Sequence, residues 1–178
     1  MKLLILDKDG TLVKSCSGQE FIQAPDDQEL FPGVYSVLQK WRDDGWKMAI
    51  ASNQGGVAEG YKSLESAIEE VRYCLYLGSP MIEVGCLCPD FEGVECYEVR
   101  KHAVFTPKER GEKYQALEGT FRKPMPGMLQ YLILQFLPLP PDGPIEVLYV
   151  GDRPEDESAA LAAGVEFLWA HEWRGDRQ

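Results

Sequence analysis

Short apolar runs recur along the chain, and most close on turn-forming or polar residues: LLIL at 3–6, WKMAIAS at 46–52, MIEVGCL at 81–87, IEVLYV at 145–150 and EFLWA at 166–170. Runs of this length, rich in aliphatic and aromatic side chains, predict strands. Between them the apolar spacing changes to that of a helix. Val34, Val37, Leu38 and Trp41 share one face that stops before Gly45, and Leu64, Ala67, Ile68, Val71 and Leu75 repeat the pattern. Met128, Leu129, Leu132, Ile133 and Phe136 do so again, and a last short helix is predicted from Pro154, a favoured first helical position, to Gly164. Strands that alternate with helices predict right-handed βαβ units, hence an α/β fold with a mostly parallel sheet covered on both faces. The stretch LPLPPDGP at 137–144 reads as a loop, so residues 1–178 are expected to form a single domain, with a modest insertion at about 88–120 edging its pocket.

Composition narrows the class. A chain of 178 residues, 44% of them apolar, can bury one sizeable core. Its net charge of −11 disfavours nonspecific nucleic-acid binding, which relies on Lys and Arg to neutralise phosphates. The apolar stretch before Asp7 is too short for a signal-peptide core, and no run approaches the roughly 18 residues that span a bilayer, so the expectation is a soluble cytoplasmic protein without membrane partners. Cys16, Cys74, Cys86, Cys88 and Cys96 are odd in number, which favours reduced thiols or a metal site over a disulfide framework.

Candidate chemistry sits where the strands end. Ligands of an open parallel sheet bind beyond the carboxyl ends of its strands. The first predicted strand ends in Asp7-Lys8-Asp9-Gly10-Thr11, the second in Ser52-Asn53-Gln54-Gly55-Gly56, and the fourth in Gly151-Asp152-Arg153-Pro154-Glu155-Asp156. Any one of these could be an ordinary turn. Three together, with Arg122-Lys123 just before a proline-marked helix start, point to a shared site.

These residues resemble the four motifs of the haloacid dehalogenase superfamily of phosphohydrolases, across residues 3–164. SNQGGVAEG and RKPMPGM are similar in particular to the capless branch that includes heptose bisphosphate phosphatases, histidinol phosphatases and polynucleotide 3'-phosphatases. The resemblance implies a Rossmann-like sheet without a large cap, and a Mg²⁺-dependent phosphomonoesterase acting through an aspartyl-phosphate. It implies Asp7 as nucleophile and Asp9 as general acid and base, with Mg²⁺ held by the Asp7 carboxylate, the Asp9 carbonyl and Asp152. Ser52 would bond the transferring phosphoryl oxygens while Lys123 offsets their charge. Asp156 would orient Lys123 or a metal-bound water. Asn53 and Arg122 would either read substrate groups or support the loops. Lys123, seen only as a cation for the substrate, is expected to matter little to the stability of the apoprotein.

The middle of the chain departs from that branch. Heptose bisphosphate phosphatases often carry Cys just before Arg-Lys-Pro, where this chain has Gly119-Thr120-Phe121. Cys86, Cys88, Cys96 and His102 offer an alternative zinc set, set against the preferred reading of reduced, packed cysteines. Cys16 falls in the flap expected after the first strand. The chain lacks a P-loop Gly-x-x-x-x-Gly-Lys-Ser/Thr and a Gly-x-Ser-x-Gly elbow, which disfavours P-loop kinases and serine hydrolases. A catalytically silent Mg²⁺- or phosphate-binding module remains the alternative of another class. The substrate expected is a sugar phosphate, a sugar bisphosphate or another small phosphomonoester, with a polynucleotide 3'-phosphate as the alternative. Lys101, His102, Lys108, Arg110 and Lys113 either steer such an anion or form a solvated charged loop.

Overall fold

The computed structural model describes residues 1–136 and 144–176, so the predicted loop at 137–144 lies outside the described residues except for Pro144. Along the first half run β1 (Lys2–Leu6), β2 (Val13–Lys14), β3 (Glu29–Leu30), α1 (Val34–Asp43), β4 (Trp46–Asn53), α2 (Leu64–Leu77) and β5 (Ile82–Cys88). The second half carries β6 (Tyr97–Arg100), β7 (Ala103–Phe105), α3 (Pro107–Arg110), a 3-10 helix (Glu112–Leu117), α4 (Gly127–Phe136), β8 (Glu146–Gly151), α5 (Pro154–Ala163), β9 (Glu166–Trp169) and α6 (Ala170–Arg174). The main sheet has the order β7-β6-β5-β4-β1-β8-β9, with β5, β4, β1, β8 and β9 mutually parallel. These five are the strands that the apolar runs predict.

Helices cover both faces because β1 is buried on both. Leu4 and Leu6 join one core with Val34 and Leu38 of α1, Val71 and Cys74 of α2 and Trp173 of α6. Leu3 and Ile5 join the other with Met128, Leu129 and Leu132 of α4 and Ala159 and Ala160 of α5. Each of the four β1 side chains is fully buried, and sequestering one such side chain contributes about 1.5–3 kcal/mol.

The structure adds an antiparallel edge that the apolar pattern does not announce. β6 pairs antiparallel with β5, and β7 pairs antiparallel with β6. The alternation in β6 is interrupted because Glu98 points inward and is fully buried. Tyr131 donates to it at 2.6 Å, Arg100 at 2.6 Å and Arg110 Nε at 3.1 Å, which ties α3 and α4 to the sheet edge. Arg110 also lies 3.7 Å from the Phe105 ring centroid, so it braces the edge instead of facing a ligand. A small β2–β3 hairpin follows β1 and carries the exposed Cys16 in its loop. Among the described residues no helix is long and apolar enough to cross a membrane.

Close packing of α2 on β5 needs a residue without a side chain at Gly85, where an added Cβ would stand 2.6 Å from Val71 Cγ1 and 3.4 Å from Ile50 Cβ. Gly85→Ala is therefore expected to cost about 1–3 kcal/mol through overpacking, read as a lower denaturant midpoint at unchanged m-value. An unchanged midpoint would mean that α2 moves aside freely.

Candidate active site

The carboxyl ends of the neighbouring interior strands β4, β1 and β8 lie side by side at one end of the sheet. Asp7 continues the β1 ladder by donating its backbone N–H to the Val150 carbonyl at 2.9 Å, which fixes it beside β8. The chain then turns at Gly10, whose φ is +82° and whose missing Cβ would fall 2.1 Å from Asp152 Oδ2. No side chain fits there, and the left-handed backbone suits glycine. Arg174 of α6 braces the turn, donating from Nη1 to the Gly10 and Thr11 carbonyls at 2.9 Å each.

Lys123 lies at the centre, and its side chain is almost wholly buried. Its Nζ donates to Asp7 Oδ1 at 2.6 Å, Asp156 Oδ1 at 2.6 Å, Tyr149 Oη at 2.9 Å and the Ala51 carbonyl at 3.1 Å. Three ammonium protons are thus shared among four oxygens. Tyr149 also donates to Asp156 Oδ1 at 2.7 Å, and the Arg153 N–H donates to Asp156 Oδ2 at 3.1 Å. The loop that presents Lys123 is latched by Asn53, which accepts the Lys123 N–H at 3.1 Å and donates to its carbonyl at 2.9 Å. The Asn53 amide is therefore committed to protein backbone.

Carboxylate oxygens of Asp7, Asp152 and Asp156 all lie within 4.8 Å of one another, the convergent group of possible metal ligands among the described residues. An all-oxygen set of this kind suits a hard divalent cation such as Mg²⁺. Both oxygens of Asp156 already accept protein hydrogen bonds, so Asp7 and Asp152 are the freer ligands. The zinc alternative is not supported: Cys86, Cys88, Cys96 and His102 do not converge, and His102 sits exposed in the turn between β6 and β7. Burial pushes the Cys88 thiol up to about 12 and the Cys86 thiol well above its ordinary value, so both stand as neutral thiols.

The remaining predicted residues lie around this centre. Ser52 is buried and accepts from Gln54 Nε2 at 2.9 Å. It does not cap α2, whose N-cap is Ser63. Asp9 is half-exposed and is held by Lys8 and Gln54. Arg122 stacks on the exposed Phe91, 4.8 Å from its ring centroid, and donates to the Asp90 carbonyl at 3.2 Å. Sequence reasoning missed Tyr149, Gln54, Lys8 and Arg174 as parts of the site. Of these, only a tyrosine and a lysine set within or beside apolar strands gave a signal.

The electrostatics follow from burial. It pushes the Asp7 carboxyl up to about 7; Lys123 pulls the other way, while Asp156 and Asp9 add to the rise. Burial opposes ionisation of Asp156 too, but Lys123, Tyr149 and the Arg153 N–H outweigh it and hold that carboxyl below its usual range. Burial alone would lower Lys123, yet Asp7, Tyr149 and Asp156 raise it well above its ordinary value.

Known proteins share this arrangement of sequence. The family model described as polynucleotide kinase 3 phosphatase matches residues 2–167. The chain is 29% identical to the D-glycero-beta-D-manno-heptose-1,7-bisphosphate 7-phosphatase of Pseudomonas putida, over 99% of this chain and 86% of that protein. It is 30% identical to the enzyme of the same name from Haemophilus ducreyi, over 92% of this chain and 79% of that one. The D,D-heptose 1,7-bisphosphate phosphatase of Bordetella bronchiseptica, solved with magnesium and phosphate, superposes with a TM-score of 0.63 at 23% identity, over 94% of this chain and 79% of that one, which shows a shared fold.

Two predictions follow from the buried charges. Lys123 is expected to support the apoprotein, against the expectation from sequence, because removing it would leave Asp156 and an ionised Asp7 without their cation. Lys123→Met should cost about 3 kcal/mol or more in chelator, read by chemical denaturation. The second concerns pH. The folded Asp7 binds its proton up to about pH 7 against an ordinary value of 3.8, so its contribution to stability falls as pH rises through that window. In chelator, the melting temperature of the wild type should therefore drop relative to Asp7→Asn between pH 5 and 7.5, by at least about 3 °C. Mg²⁺ should restore it more at pH 7.5 than at pH 5. Parallel curves for the two proteins would refute the shift.

Proposed function

The chain belongs to the polynucleotide kinase 3 phosphatase family, a branch of the haloacid dehalogenase superfamily of phosphohydrolases, and from that premise we propose that it hydrolyses one phosphomonoester of a small sugar bisphosphate through an aspartyl-phosphate on Asp7. The observation that carries this reading is the convergence of the Asp7, Asp152 and Asp156 carboxylates, two of which, Asp7 and Asp156, pair with the Lys123 ammonium. Relatives named as heptose bisphosphate phosphatases over nearly the whole chain support the substrate class.

In this mechanism Lys123 holds Asp7 Oδ1 and leaves Oδ2 to attack phosphorus. As the new oxygen–phosphorus bond forms, the bond from phosphorus to the ester oxygen breaks, and Asp9 gives its proton to the departing alkoxide. Asp9 then takes a proton from water, whose oxygen attacks phosphorus and releases inorganic phosphate and free Asp7. Lys123 meets the charge on the equatorial oxygens, and Ser52, whose oxygen accepts from Gln54, keeps its own O–H free to donate to the same group. Bound through Asp7, Asp152 and the Asp9 carbonyl, Mg²⁺ would supply charge neutralisation for an anion approaching a carboxylate. Asn53 positions the lysine loop, and Arg122 lies at the outer side, where the rest of the substrate extends.

The test compares D-glycero-D-manno-heptose 1,7-bisphosphate with a 3'-phosphorylated oligonucleotide. Phosphate release should require Mg²⁺, fall at least about 10³-fold in Asp7→Asn, and show kcat/KM at least about tenfold higher for the bisphosphate. The net charge of −11 favours this order, since repulsion penalises the polyanion more. A preference for the oligonucleotide would transfer the assignment to 3'-end repair.

A further inference from the structure

The alternation of β1 sends Asp7 to the face of Leu3 and Ile5, where Lys123 receives it, and sends Lys8 to the face of Leu4 and Leu6, under α2. Lys8 is a fully buried lysine. Its Nζ donates to Asp9 Oδ1 at 2.6 Å and lies 3.9 Å from Oε2 of Glu70, itself almost wholly buried on α2. Glu70 also receives Lys62 Nζ at 2.6 and 2.8 Å. Lys62 reaches Gln54 Oε1 at 3.4 Å, and Gln54 Nε2 closes the circuit on Asp9 Oδ2 at 3.0 Å. Five side chains thus form a ring in which both oxygens of Asp9 are held by donors from opposite sides.

A buried lysine costs several kcal/mol of desolvation unless it is paired, so its presence needs an account. For packing alone, an apolar residue would serve better beneath α2. Asp9 is the half-exposed member, and in the mechanism above it must aim one carboxyl first at an alkoxide and then at a water. We propose that Lys8, anchored by Glu70 and Lys62, is a positioning residue that fixes the Asp9 carboxyl for proton transfer, while Lys123 serves the nucleophile on the opposite face of the same strand. The inference rests on the phosphatase reading of Asp9. Phosphoryl transfer to Asp7 from an ester with a good leaving group needs little help from an acid, whereas transfer from an alkyl ester, and hydrolysis of the aspartyl-phosphate, both need Asp9 in place.

Lys8→Met, which keeps length and removes the charge, separates these steps. Expected is a fall of at least about tenfold in kcat/KM for the heptose bisphosphate, with kcat/KM for p-nitrophenyl phosphate kept within about threefold. On the aryl ester kcat should still fall, with phosphoenzyme trapped by acid quench. Glu70→Gln, which keeps the shape and loosens only the anchor, should give the same split to a smaller degree, and it decides the matter if Lys8→Met does not fold. Equal losses of kcat/KM on both esters, or no loss on either, would overturn the positioning role. A wild-type chain inert toward both esters overturns the phosphatase reading and this inference with it.

Discussion

One ammonium ion beneath the strand ends makes the rest of this site possible. Asp7 and Asp156 are buried and close, and two carboxylates in that setting repel each other and resist ionisation. Lys123 reconciles them by donating to both, and to Tyr149 and the Ala51 carbonyl besides. Its acceptors come from the ends of β1, β4, β8 and from α5, so a single side chain ties four elements together at the point where the sheet opens. The geometry requires the loop before α4 to be held firmly, and the paired hydrogen bonds of Asn53 do that.

A metal and a lysine have separable tasks here. Asp152 is more exposed than its two neighbours and faces the turn at Gly10, where nothing larger than glycine fits. Asp156 is saturated by protein donors and acts on Lys123. The acidic cluster therefore splits into an outer part able to take a divalent cation and an inner part that sets the lysine. The same alternation that buries β1 on two faces sends Asp7 and Lys8 to opposite sides, so that Asp7 meets the buried Lys123 while Asp9, in the turn that follows, is held by the buried Lys8. Two carboxylates only two residues apart can then serve different chemical roles.

The segment after β5 shows how a charged residue can be structural. Glu98 is buried at the sheet edge and gathers Arg100, Arg110 and Tyr131, which holds α3 and α4 to β6. Arg110, one of the basic residues that might have steered an anion, is thereby turned inward. Cys86, Cys88 and Cys96 pack in the core on that side, beside Tyr114 and Phe121.

The five parallel strands, the four longer helices and the three strand ends that carry the site were legible in the chain, because apolar spacing and turn residues are local signals. Strand and helix ends marked the segments, and the resemblance to the four superfamily motifs picked out Asp7, Asp9, Ser52, Lys123 and Asp152 within them. The antiparallel edge was not legible, because its inward-facing residue is Glu98 and a buried ion pair looks polar in sequence. Nor were the partners of the site residues. Tyr149 reads as strand filling, Lys8 as a spacer between two aspartates, Gln54 as a turn residue, and Glu70 as the exposed side of a helix, while Asn53 is a candidate whose choice between substrate and loop the sequence leaves open. Which of them meet depends on sheet order and on the direction each side chain takes from the pleat, and contacts between residues tens of positions apart leave no local trace. Sequence periodicity therefore determined the elements, motif resemblance named the candidate carboxylates, and tertiary packing alone decided which charge neutralises which.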